Sequence, residues 1–126
     1  VAQKPQAALV ELSKDHAIKV GTGTMTDVYV FLDPLCSFSK ALMKQIDANK
    51  MLQVTNTYHI LMYRLPRLDS DKMMQHILEA KDPKETLLAV MVDGEVPDLD
   101  GFVAKPETLQ KLKEIAEVAK QLDMQV

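Results

Sequence analysis

Cys36 is the only cysteine among 126 residues, so any thiol chemistry rests on that one sulfur. A single thiol closes no internal disulfide, and a four-cysteine metal site is excluded. The residues ahead of it, Val28-Tyr29-Val30-Phe31-Leu32, form a short apolar run suited to a strand buried in the middle of a sheet. The residues after it, from Ser37, take helical spacing. Cys36 therefore falls between a strand end and a helix start, where unpaired backbone N–H groups and the helix dipole favour negative charge and make a thiol more acidic. Ser39 stands three residues on, roughly one turn away, where its hydroxyl can donate to the sulfur. Cys36-Ser37-Phe38-Ser39 is thus a Cys-x-x-Ser arrangement whose thiolate would attack disulfides. The competing reading is a plain buried cysteine that packs as a small hydrophobe. The strand-to-helix location favours the reactive thiol, because the carboxyl ends of parallel strands are where α/β folds place their sites.

The remaining candidates are weaker. His16, His59 and His76 lie far apart, and none has metal-ligand spacing with another histidine or with Cys36. His59, inside an expected strand, is the one whose ring could face the thiolate, though strand alternation does not fix its face. Asp33 precedes Pro34 close to the thiol and reads as a turn or capping residue. Lys40 reads as a solvated helix lysine, and the eight methionines read as core filling.

The elements that must position the thiol follow from periodicity. Phe38, Leu42 and Ile46 recur at fourfold spacing and predict a helix from Ser37 to about Asn49. Gln53 to Leu65 returns to strand character before Pro66. A short helix is expected from an Asp69 or Ser70 cap to Ala80, and Asp82-Pro83 starts another that stops at Asp93-Gly94. Pro106 opens a last helix with Leu109, Leu112, Ile115, Ala116, Ala119 and Leu122 on its apolar face. Strand, helix, strand implies a parallel pair and an α/β class. The first 26 residues read as a lead-in or linker, opened by Lys4-Pro5-Gln6 and closed by the flexible stretch Gly21 to Thr24, with Ala17 to Val20 as a short edge strand. So small a sheet under such long helices predicts completion beyond Val126.

Composition bounds the function. With 47% hydrophobic and 26% charged residues the chain suits one globular domain, and a net charge of −3 gives no basic surplus for nucleic acid. No apolar run reaches the roughly 18 residues of a membrane helix, and no signal peptide is visible in these residues.

Val28 to Lys40, with Asp33-Pro34 ahead of Cys36-x-x-Ser39, resembles the active-site strand and helix start of the thioredoxin-fold disulfide isomerases of the bacterial periplasm, the DsbC and DsbG type. Tyr58 to Pro66 is similar to that family's second strand and its exit, Ile77 to Leu88 to its helical insertion, and Ile115 to Val126 to the helix leading into its cis-proline loop. The resemblance implies a thioredoxin-like domain over residues 27–126 with a helical insertion around 69–105, its C-terminal part lying outside this sequence. It implies thiol-disulfide exchange with client proteins that carry cysteines or disulfides, Cys36 as nucleophile, Ser39 in the resolving position, and Ser37 and Phe38 on the peptide-facing surface. It also admits a membrane reductase as partner, an oligomer and a periplasmic location; it implies no cofactor and no metal.

Departures limit this. The family's second active-site cysteine is Ser39 here, whether naturally or as a replacement that traps mixed disulfides, so no internal resolution of a mixed disulfide is available. The paired structural cysteines of some members are absent, and the family's dimerisation domain and cis-proline loop are not among these residues. A non-catalytic binding or chaperone module of the cell envelope is the alternative.

Overall fold

The computed structural model describes residues 7–122; Lys4 to Gln6 and Met124 to Val126 lie outside the described residues. In chain order the elements are α1 (Ala7–His16), β1 (Ile18–Val20), β2 (Thr26–Leu32), α2 (Ser37–Ala48), α3 (Lys50–Thr55), β3 (Asn56–Met62), α4 (Asp71–Glu79), α5 (Pro83–Met91) and α6 (Pro106–Gln121). Proline opens both α5 and α6, where a missing N–H costs nothing and the fixed φ suits a first turn. Asp82 caps α5 by accepting from the Glu85 N–H at 3.1 Å.

The sheet runs β1-β3-β2, with β2 parallel to β3 from Thr26 opposite Asn56 to Leu32 opposite Met62, and β1 antiparallel to β3. The parallel pair and the short edge strand match expectation, but the order does not. β3 is the central strand, buried from Tyr58 to Met62, and β2 lies at an edge among the described residues. An apolar run reports that helices cover a strand's faces; it carries no information about how many of its edges are paired.

Strand alternation divides the core. Val30, Leu32, Tyr58, Ile60 and Met62 face α2, α4 and α5, with Met43, Ile46, Ile77, Leu87 and Met91 filling the space between. Phe31 and Leu61 face the other way, against Leu9 and Leu12 of α1 and Ile115 and Ala119 of α6. Met43, Met62, Met73, Met74 and Met91 are buried, as core filling requires, whereas Met25 and Met51 are exposed.

Two local expectations change. Gln53 to Thr55 is helical, because Asn49 caps α3 by accepting from the Met51 and Leu52 N–H groups, and the Gln53 amide donates to the Ile46 and Asp47 carbonyls. Those bonds override the strand preference of Val54 and Thr55. The Gly21 to Thr24 stretch is held in place. Thr22 and Gly23 donate to the Gln53 and Asn56 carbonyls, and the Thr57 hydroxyl donates to the Gly23 carbonyl at 2.6 Å. A Cβ on Gly23 would lie 2.0 Å from the Thr55 carbonyl carbon, so glycine is required there for close approach. With Leu9 and Leu12 buried and β1 in the sheet, the described part of residues 1–26 contributes to the core.

Candidate functional site

β2 ends at Leu32, and the chain turns through Asp33-Pro34-Leu35 into α2. Cys36 occupies the N-cap position of α2 with extended backbone, φ −78° and ψ 129°. Its N–H donates to the Asp33 carbonyl at 3.0 Å, and its own carbonyl accepts the first helical bond, from the Lys40 N–H at 2.9 Å. The sulfur therefore sits where the expected strand-to-helix junction puts it.

The first turn lowers the thiol's pKa below its ordinary value. The Ser39 backbone N–H is the largest influence; burial pushes the other way; the Ser39 hydroxyl and the Phe38 N–H add to the lowering, and the Asp33 carboxylate opposes it by like charge. No capping hydrogen bond of full geometry reaches the sulfur. The Ser39 N–H acts as a nearby partial charge, which needs less alignment than a hydrogen bond. The donors in the turn, Ser39 first, carry the effect.

Cys36 is only 3% exposed, and the donors of the first turn outweigh the effect of burial on its thiol. Ser37 is exposed and Ser39 buried, and Phe38 presents its ring to solvent at 81% exposure, with the half-exposed Leu42 one turn on. The Ser39 Oγ also accepts from the Asp33 N–H at 3.4 Å, leaving its proton free for the sulfur.

Asp33 is completely buried. Its carboxylate accepts from the Leu35 N–H at 2.9 Å, as the expected turn residue does, but also from the Leu65 N–H at 2.7 Å and the Ser70 hydroxyl at 2.6 Å. Sequence reasoning gave Ser70 a capping role. It stands at the N-cap of α4, but its side chain makes no cap bond because it turns to Asp33, 37 residues away. No local pattern signals such a bond.

His59 is not part of this site. It pairs in register with Tyr29, stacks on that ring with centroids 4.6 Å apart, and bonds through Nε2 to Asp27 at 2.9 Å, near the start of β2. Lys40 is half-buried in α2, and His16 bonds to Glu114 of α6 at 2.7 Å. Two cavities among the described residues are not lined by the thiol. One of about 890 Å³ lies by His76, Asp82, Glu85 and Asp93, and one of about 740 Å³ lies between Tyr63, Met74 and Lys113.

The described residues have a thioredoxin-like α/β fold with additional helices between β3 and α6. A solved structure with this fold is the disulfide interchange protein from Neisseria gonorrhoeae. It is similar over 88% of this chain and 75% of its own, with a TM-score of 0.68 and 21% sequence identity. No family model matches the sequence, and no curated protein matches it. No helix among the described residues is long and apolar enough to cross a membrane.

Proposed function

We propose that the protein is a monothiol disulfide-exchange protein of the DsbC and DsbG type, acting in the periplasm on client proteins. The observation that carries this is the acidified Cys36 thiol at the start of α2, in the fold of a disulfide interchange protein. The Cys36 thiolate attacks one sulfur of a client disulfide, forming a mixed disulfide and releasing the other client sulfur as a thiolate. A second client thiolate then attacks the client sulfur of that mixed disulfide, forming a new client disulfide and returning the Cys36 thiolate. No net oxidation occurs, so Ser39 in place of a resolving cysteine is compatible with isomerisation. Ser39 stabilises the attacking and leaving thiolate, while Ser37 and Phe38 face the client peptide.

The binding-module reading draws on one observation: the Phe38 ring is exposed where the sulfur is not. Reactivation of a scrambled disulfide protein separates the two. Exchange predicts mixed disulfides on Cys36 and loss of reactivation in Cys36→Ala. Equal reactivation by Cys36→Ala, with loss in Phe38→Ala, assigns the function to binding instead.

A further inference from the structure

A carboxyl group with no exposed surface must find its donors inside the protein. Asp33 finds them on three separate pieces of chain. Leu35 belongs to the turn that delivers Cys36, Leu65 to the exit from β3, and Ser70 to the entry of α4. The Asp33 main chain meets the thiol's own turn as well, through the Cys36 N–H and the Ser39 hydroxyl. Ser70 leaves its own helix without a side-chain cap in order to reach Asp33. A serine at that position ordinarily gives its oxygen to the helix.

We propose that Asp33 is a positioning residue for the Cys36 thiol, and that Ser70 couples α4 to the sulfur through it. The hydrogen bonds fix the turn against β3 and α4. The charge works separately, because a nearby carboxylate disfavours the thiolate, and Asp33 is the charged group that acts on Cys36 in this way. Asp69, Arg67 and Lys72 around the start of α4 and Lys40 and Lys44 of α2 are charged as well, but Asp33 is the one whose charge acts on the thiol. Arg64 beyond β3 donates to the Leu68 carbonyl and pairs with Asp71 of α4 at 3.1 Å, and Lys40 lies in α2. The Ser70 hydroxyl donates to the Asp33 carboxylate and compensates part of its charge. Losing that proton leaves more of the charge to act on the sulfur; losing the charge removes the opposition.

The inference deepens the exchange reading and rests on it for its consequence in turnover, but it is read independently of turnover. The experiment is the rate of Cys36 alkylation by iodoacetamide against pH, with far-ultraviolet circular dichroism to confirm folding. Asp33→Asn moves the midpoint down and Ser70→Ala moves it up; a half-unit shift is read as about a threefold rate change below the midpoint. In an Asp33→Asn background, Ser70→Ala has no further effect, since the coupling runs through Asp33. Should Asp33→Asn fail to fold, Ser70→Ala alone decides. Shifts in the same direction, or a parental midpoint in folded Ser70→Ala, overturn the proposal. Failure of the exchange reading shows differently, as reactivation by Cys36→Ala equal to that of the parent.

Discussion

The two ends of β2 bury polar side chains in opposite ways. At the carboxyl end Asp33 is enclosed, and its carboxylate ties its own turn to the exit of β3 and the start of α4. At the amino end the buried His59 relies on Asp27, a mostly exposed carboxylate, and its Nδ1 has no hydrogen-bond partner among the described residues. The first arrangement holds three chain segments in one geometry beside Cys36. The second joins neighbouring strands that the ladder already holds together, so little depends on it.

That contrast is open to measurement. The largest effect is expected from Asp33→Ala, which strips partners from the Leu35 and Leu65 N–H groups and from Ser70. Unpaired buried donors cost about 1 to 3 kcal/mol each, so a loss of roughly 3 kcal/mol or more is expected in urea unfolding. A loss no greater than that of Asp27→Ala would erase the distinction between the ends. Next comes Ser39→Ala, which removes the hydroxyl but keeps the dominant backbone N–H. The Cys36 alkylation midpoint rises, by less than the whole of the lowering, and an unchanged midpoint would assign the effect to the backbone alone.

A smaller effect lies in the dependence of stability on pH. Because the Cys36 pKa is lowered in the folded protein, the unfolded state holds the proton to higher pH. The thiolate's contribution is fully present above the unfolded pKa and is lost as pH falls through the folded one. Between those two values stability rises with pH, and Cys36→Ala flattens that rise; an identical slope in the variant would show that the thiol is not acidified. The smallest change is expected at the amino end. Asp27→Asn costs under about 1 kcal/mol, as exposed pairs do, and leaves Cys36 alkylation as in the parent. A shift in that profile would mean that the two ends are coupled through β2.

Much of the site was legible because its determinants are local. The strand before Cys36, the break at Pro34 and the fourfold spacing after Ser37 lie within a few residues of one another, and they sufficed to place the thiol and Ser39. The helix starts at Pro83 and Pro106 were legible for the same reason. α3 was not, since Val54 and Thr55 favour a strand until the Asn49 and Gln53 side chains close the turn around them. Nor was the sheet order, because the apolar faces of β2 and β3 look alike and pairing is decided between segments distant in sequence.

His59 shows where local pattern stops: alternation left its face open, and only the register with Tyr29 showed that it turns toward Asp27 and is not part of the thiol site. The sequence by itself determined the lone sulfur, its place between strand and helix, and the serine a turn beyond it, since these depend on neighbours along the chain. The tertiary structure alone decided that Asp33 accepts from Leu65 and Ser70. A hydrogen bond spanning 37 residues is set by how β3 and α4 pack against the end of β2, and no short-range preference encodes that packing.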